Sequence, residues 1–332
     1  MKYPIHIIAE AGTNNNGSVE KAKNLIAIAA RAGADSVKFQ MINTWGLYLP
    51  GQYDYGHYKI EDVIKIRQAG EMTDKEYQSL ATFAFNTGIS FSASVFDEKA
   101  LKLLASFNPP YIKLASCDLN NVRFLRQVSE QGIKVVMSTG MSTMADIEIG
   151  VKAITQNGFN DLVLLHCVSV YPAGLKQTNL RFIEELKKNF GFEVGFSDHT
   201  GTSHAACMAL VLGATWFEKH FTEDKTQKGL DHAYAMEEEE LKNYIKDIRE
   251  AYEALILKED KVSDAEKYTR KRARRSLYAS KDLPAGYVIT NDDVLVVRPE
   301  NIMQANEIDM IVGKELLEPI KQHKPFTKNM VK

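Results

Sequence analysis

The sequence predicts an α/β chain: a (β/α)8 TIM barrel followed by a small C-terminal domain. Three observations carry that reading. Eight short, β-branched apolar runs alternate with helical stretches along the first two thirds of the chain. Nearly every run ends in polar side chains, as strands of such a barrel do at their catalytic end. No GxGxxG motif of an open dinucleotide-binding sheet occurs. At 332 residues the chain accommodates about two domains at roughly 100–200 residues each. The barrel is placed at 1–258, a charged linker at 259–274 and the small domain at 275–332.

The strands are read at 5–11 (IHIIAEA), 35–41 (DSVKFQM), 89–96 (ISFSASVF), 111–116 (YIKLAS), 133–139 (IKVVMST), 161–168 (DLVLLHCV), 194–199 (VGFSDH) and 216–222 (WFEKHFT). The first helix illustrates the connections. Ser18 is a candidate N-cap, Ala22, Leu25, Ile26, Ala29 and Ala30 recur at helical spacing, and Gly33 can take a left-handed C-terminal turn. Between the second and third strands, 45–70 is a long aromatic-rich insertion, of the kind that forms a lid or a dimer contact. After a helix at 238–257 the run KEDKVSDAEKYTRKRARRS has little to bury and reads as a solvated linker. Short β-type runs broken by Pro284, Gly286, Asn291 and Pro299 then form the small domain.

Composition narrows function. With 41 Lys and Arg against 43 Asp and Glu, the net charge of −2 supplies no field that would draw the chain to nucleic acid or anionic lipid. A phosphate-bearing ligand therefore needs a local cationic site. Three cysteines, Cys117, Cys167 and Cys207, are too few for a disulfide framework and suit a reducing compartment. The first apolar run is too short for a signal sequence and no later one approaches a membrane span, so a cytoplasmic protein is expected.

The candidate site gathers at the strand ends: Glu10, Lys38, Gln40, Ser94, Lys113, Ser116, Ser138, Ser169, Tyr171, Ser197, His199, Glu218 and His220, with Asp231 in the loop beyond. Alternation puts Lys38 and Gln40 on one side of their strand, and Glu218 and His220 on one side of theirs. A lysine in a buried strand costs several kcal/mol unless paired, so Lys38 and Lys113 are either structural ion-pair members or ligands for an anion. His199 and His220, ending adjacent strands, are either hydrogen-bonded core residues or ligands of one divalent ion. Glu10 and Asp118 are candidate acids or bases, or partners for lysine. His166 reads as a core or supporting residue.

These motifs, in their shared order, resemble the sialic acid synthase family, also called the N-acetylneuraminate or nonulosonic acid synthase family. The matching runs are IIAEAGTNNNG at 7–17, KFQ at 38–40, KLAS at 113–116, STGM at 138–141, HCVSVYP at 166–172, GFSDHT at 195–200, EKHFT at 218–222 and GLDH at 229–232. The tail, with RRSLYASKDLPAGYVITNDDV, VVRP and IVGK, resembles the antifreeze-like or SAF domain that follows the barrel in these synthases. Asn15 stands where most members have His, Asp118 where many have Glu, and Val95 where members have Pro.

The resemblance implies that phosphoenolpyruvate condenses with an N-acylated amino sugar to a nine-carbon 2-keto acid and phosphate. It implies Mn2+ or Mg2+ on His199 and His220, and phosphate and carboxylate held by Lys38, Lys113, Ser116, Ser138 and Ser197. Glu10, Gln40, Ser169, Tyr171 and Asp231 match positions that orient substrate or move protons. Arg298, in VVRP, matches an arginine that reaches the partner's barrel toward the N-acyl group in a domain-swapped homodimer. The departures leave open N-acetylmannosamine or a 2,4-diacetamido-trideoxyhexose as acceptor. Two other readings remain: a Schiff-base pyruvate aldolase using Lys38 or Lys113, and a carbohydrate-binding protein with an inactive barrel.

Overall fold

The computed structural model describes residues 4–49, 54–55, 58–257 and 261–332. They form two compact units, Met1–Ile256 and Leu257–Lys332.

Eight parallel strands close the first unit into a barrel in which chain neighbours are also spatial neighbours. They are β1 (His6–Gly12), β2 (Ser36–Met41), β3 (Ser90–Val95), β4 (Ile112–Leu114), β5 (Val135–Ser138), β6 (Leu162–Cys167), β7 (Glu193–Asp198) and β8 (Trp216–His220). Each counterpart was legible as a β-branched run. The first helix, α1 (Val19–Ala32), begins with the Ser18 hydroxyl accepting the Lys21 amide and ends at Gly33 with φ 85°. Within the insertion, α2 (Ile60–Ala69) carries the segment back to the barrel. The largest outer helix, α3 (Glu238–Leu255), buries Leu241, Tyr244, Ile245 and Ile248.

Period-two alternation sorts each strand into a helix-facing set and a lumen-facing set. Ile7, Ala9, Val37, Phe39, Phe91, Ala93, Ile112, Leu114, Val135, Met137, Leu162, Leu164, Val194, Phe196 and Phe217 belong to one apolar cluster with the helices. The lumen has its own cluster: Ile8, Tyr111, Val136, Val163, Leu165 and Trp216. That plug fills the barrel floor, where the Trp216 ring meets Tyr111 edge-on at 5.5 Å. The next inward position on the same strands carries Glu10, Lys38, Lys113, Ser138 and Glu218, so a polar layer lies directly above an apolar one.

In the second unit β9 (Ser276–Ala279) pairs antiparallel with β10 (Val294–Val297). Leu277, Ala279, Leu283, Ile289, Val294, Met303, Ile311, Leu316, Ile320 and Phe326 form its core. The charged stretch read as a solvated linker is helical over Asp264–Ala273. The reason is local: the Ser263 hydroxyl accepts the Glu266 amide and the Glu266 carboxylate accepts the Ser263 amide, a complete capping box. No residue of this helix is buried, as its composition required. Among the described residues no helix is long and apolar enough to cross a membrane.

Candidate active site

Four charges form the centre of the barrel mouth. Lys38 Nζ lies 2.7 Å from Glu10 Oε2 and 3.6 Å from Glu218 Oε2, and Lys113 Nζ lies 3.9 Å from the same Glu218 oxygen. All four side chains are almost completely buried. Strand register explains the meeting: Glu10 is level with Lys38 on one side and His220 on the other, while Ser94 is level with Lys113.

Hydroxyls fix the lysines. Lys38 donates to Ser94 Oγ at 2.8 Å, and Lys113 donates to Ser138 Oγ at 2.7 Å and to the Leu114 carbonyl at 2.8 Å. Ser197 donates to Glu218 Oε1 at 2.8 Å, and Gln40 Nε2 donates to Glu10 Oε1 at 2.9 Å. Ser116 Oγ accepts the Gly140 amide at 3.0 Å. A side chain at Gly140 would meet Ser169 Oγ at 2.4 Å and Ser116 Oγ at 2.8 Å, so only glycine lets these two hydroxyls converge.

The environment splits the lysines. Burial pushes the Lys38 ammonium down, but Glu10 and Glu218 more than offset this and raise it. Lys113 is pushed down, by burial first and by the Lys38 charge in addition, with Glu218 only partly compensating. Burial alone would raise the Glu218 carboxyl, yet Lys113, Lys38 and the Ser197 hydroxyl hold it well below the usual range. Perturbed groups of opposite sign at one point mark a functional candidate.

Beside the quartet the two imidazoles face each other with ring centroids 5.5 Å apart, and Tyr171 lies 4.2 Å from His199. His199 Nδ1 meets the Val168 carbonyl at 2.8 Å. Burial, then the nearby His220, pushes His199 down to about 3, which keeps it neutral and leaves Nε2 as a lone-pair donor. His220 Nδ1 and Asp231 Oδ2 are buried without a hydrogen-bond partner among the described residues. Both border Gly12, where φ is 56° and an added Cβ would lie 2.8 Å from Asp231 Oδ2. These orphaned atoms and the neutral His199 imidazole suit a hard-to-intermediate divalent cation. Among the described residues no group of three or more His, Cys, Asp and Glu side chains could hold a metal ion, and a cation held by His199 and His220 would have to complete its sphere from substrate and water.

A cavity of about 360 Å³ opens outward from here, lined by Gln40, Tyr48, Ile60, Val63, Arg67, Tyr171, His220, Leu230, Asp231 and Tyr234. Asp231 Oδ1 accepts the Tyr234 hydroxyl at 2.6 Å. Burial would raise the Asp231 carboxyl, but His220, the Tyr234 hydroxyl and Arg67 bring it below its ordinary value.

Glu10, Lys38, Gln40, Ser94, Lys113, Ser138, Ser197, His199 and His220 thus meet at the mouth, with Ser116, Ser169, Tyr171 and Asp231 around it. Asp118 bonds locally: it accepts from Asn121 at 3.2 Å and from the Cys117 thiol, and burial raises its carboxyl. Its hydrogen bonds tie it to its own turn, with none to a quartet member. Arg298 is exposed on the second unit. His166 points out of the lumen, bonds the Thr178 carbonyl at 2.6 Å and stacks on Phe196, the role of a supporting core residue. Asn15 is buried with Nδ2 3.0 Å from Met72 Sδ. Glu218 was visible as a polar strand-end residue but was given no role, and Arg67, Leu230 and Tyr234 were missed. Period two pairs Glu218 with His220, which was the available signal; nothing local marks the other three.

A closed barrel with a buried ion-paired mouth, in a chain that continues into a separate β unit, is the architecture of a barrel enzyme with an appended module. The chain belongs to the NeuB family, whose model matches residues 25–260, and a SAF domain matches residues 274–332. It is 34% identical over 93% of its length to the N,N'-diacetyllegionaminic acid synthase of Legionella pneumophila, covering 90% of that protein. It is 30% identical over 98% of its length to the N-acetylneuraminate-9-phosphate synthase of Drosophila melanogaster, covering 96% of it. The crystal structure of an N-acetylneuraminic acid synthetase from Leptospira borgpetersenii, in complex with citrate, superposes with a TM-score of 0.72 at 30% identity, over 80% of this chain and 90% of that one.

Proposed function

We propose that this chain is a nonulosonic acid synthase. It condenses phosphoenolpyruvate with the open-chain aldehyde of an N-acylated amino hexose, giving a nine-carbon 2-keto sugar acid and inorganic phosphate. The observation that carries this reading is the buried quartet Glu10, Lys38, Lys113 and Glu218 with its ring of serine hydroxyls.

Lys38 and Lys113 face the phosphate and carboxylate of phosphoenolpyruvate, with Ser94, Ser116, Ser138 and Ser197 as further donors once substrate displaces their present partners. The enolpyruvate C3 bonds to the aldehyde carbon, whose oxygen takes a proton and becomes a hydroxyl. Water adds to the electron-poor C2 and loses a proton, and phosphate departs to leave the 2-keto group. Glu10, Gln40, Tyr171 and Asp231 orient the acceptor and exchange these protons. Two lysines and two carboxylates cancel, so the quartet has no surplus charge for an anion. A Mn2+ or Mg2+ ion on His199 and His220 would supply that surplus and polarise the aldehyde. Arg298 is assigned to the N-acyl group in the partner barrel of a domain-swapped homodimer.

The test is phosphate release from phosphoenolpyruvate with manganese, against N-acetylmannosamine and 2,4-diacetamido-2,4,6-trideoxyhexoses. Release that requires both sugar and metal is expected. Silence with every sugar, or borohydride trapping of pyruvate on Lys113, would replace it with the binding-protein or aldolase reading; the lowered Lys113 ammonium is what keeps the latter in view. For the dimer, mixed Arg298→Ala and His199→Ala chains should recover up to about a quarter of native activity per site from hybrids. No recovery on mixing rejects the swap.

A further inference from the structure

The face that α2 turns to the cavity is chemically mixed. Ile60, Val63 and Arg67 are spaced i, i+3 and i+7, so one helical face presents two aliphatic side chains and one guanidinium, and all three line the same cavity. Arg67 is tied at one end only. Its Nη1 donates to Thr13 Oγ1 at 2.9 Å, while Nε is buried with no hydrogen-bond partner among the described residues. A buried donor of this kind is costly to leave unmade and marks a place for an acceptor atom. The barrel chemistry described above does not use it.

The surroundings specify what that acceptor is. Among the described cavity residues the one guanidinium is Arg67 and the one carboxylate is Asp231, and they oppose each other. One guanidinium already balanced by a carboxylate is a poor site for a phosphate dianion. A neutral carbonyl oxygen needs only the one donor, and the methyl group of an acetamide finds Ile60, Val63 and Leu230 beside it. Donor and apolar wall together match an acylamino group.

We propose that the Ile60, Val63 and Arg67 face binds a second acylamino group of the acceptor, so that the chain selects a di-N-acylated amino sugar over a singly acylated one and over a phosphorylated one. The inference rests on the synthase reading, which assigns the first acyl group to Arg298 and leaves this face for another.

The experiment measures phosphate release from phosphoenolpyruvate by the full chain with three acceptors: a 2,4-diacetamido-2,4,6-trideoxyhexose, N-acetylmannosamine and N-acetylmannosamine 6-phosphate. The native chain should prefer the first. Arg67→Gln should lower the ratio of kcat/KM for the first acceptor over the second by about 10- to 100-fold, chiefly through KM for sugar, with KM for phosphoenolpyruvate within about twofold. Val63→Thr keeps the side-chain volume and the fold while making the wall polar, and should lower the same ratio by about threefold. An equal loss with both unphosphorylated acceptors gives Arg67 only the task of holding the Thr13 loop and overturns the inference. Preference for the 6-phosphate overturns it too, leaving the synthase reading intact. Silence with all three rejects the synthase reading and the inference together.

Discussion

The floor and the mouth of the barrel lumen are built from the same strands, one inward position apart, and they obey opposite rules. Ile8, Val136 and Trp216 sit below Glu10, Ser138 and Glu218 on β1, β5 and β8. The floor is filled with side chains whose removal from water favours folding, about 1.5–3 kcal/mol for each large aliphatic group. The mouth buries four charges that folding alone does not require, because a buried ion pair rarely stabilises more than an apolar replacement of the same volume. The difference teaches where selection for stability ends and selection for chemistry begins: between residues 8 and 10 of one strand.

That contrast can be broken most directly at Lys113. Its ammonium is disfavoured where it stands, first by burial and then by the Lys38 charge. Lys113→Met should therefore cost less in stability than removing Lys38 does, while lowering phosphate release by about a thousandfold or more. Thermal unfolding and single-turnover kinetics on the same preparation check both halves, and a loss of fold equal to the loss of activity would erase the distinction. Lys38→Met is the counterpart. Lys38 is favoured by Glu10 and Glu218, so removing it strands buried carboxylates and should cost about 3–5 kcal/mol besides the activity. The floor should behave in reverse: Trp216→Ala is expected to cost about 3–5 kcal/mol, read by denaturant unfolding, with kcat/KM of the folded molecules within a few-fold of native. A kcat/KM loss of a hundredfold there would mean that the plug positions the quartet.

The fold was legible because alternation is a local signal: each of the eight runs declares two faces without reference to any other. Much of the site was legible for the same reason, since Lys38 with Gln40 and Glu218 with His220 follow from period two. What no single run contains is closure. That Glu218 sits within reach of both Lys38 and Lys113 depends on the register of strands separated by more than a hundred residues. Arg67 was invisible because it lies on a helix inside an insertion that read only as a lid or contact, and its relation to Thr13 is tertiary. The solvation of 264–273 was legible from composition, whereas its helix follows from a capping box whose partners, Ser263 and Glu266, composition does not single out.

The second unit supplies the smallest test and the sharpest control, for it too buries a carboxylate. Asp293 accepts the Thr290 amide at 2.8 Å and the Thr290 hydroxyl at 2.6 Å, and its other oxygen lies 2.8 Å from Lys281 Nζ. Burial would raise it, but Lys281 and the Thr290 donors bring it down to about 2. The sign follows: a carboxyl depressed in the folded state adds stability that is complete above its unfolded value of about 4 and is lost as pH falls toward 2. Asp293→Asn should cost about 1 kcal/mol near neutral pH, the usual worth of a capping side chain, and should flatten the acid slope of this unit. Amide exchange of peptides from 275–332, followed from pH 6 to pH 3 and corrected for intrinsic rates, measures it, and an unchanged slope in the variant would assign the acid sensitivity elsewhere. Phosphate release should stay within about twofold of native at neutral pH. Burial and a depressed pKa are thus shared by Glu218 and Asp293. What separates them is the company: Asp293 has its own turn and one exposed lysine, whereas Glu218 has two buried lysines and the Ser197 hydroxyl from a neighbouring strand.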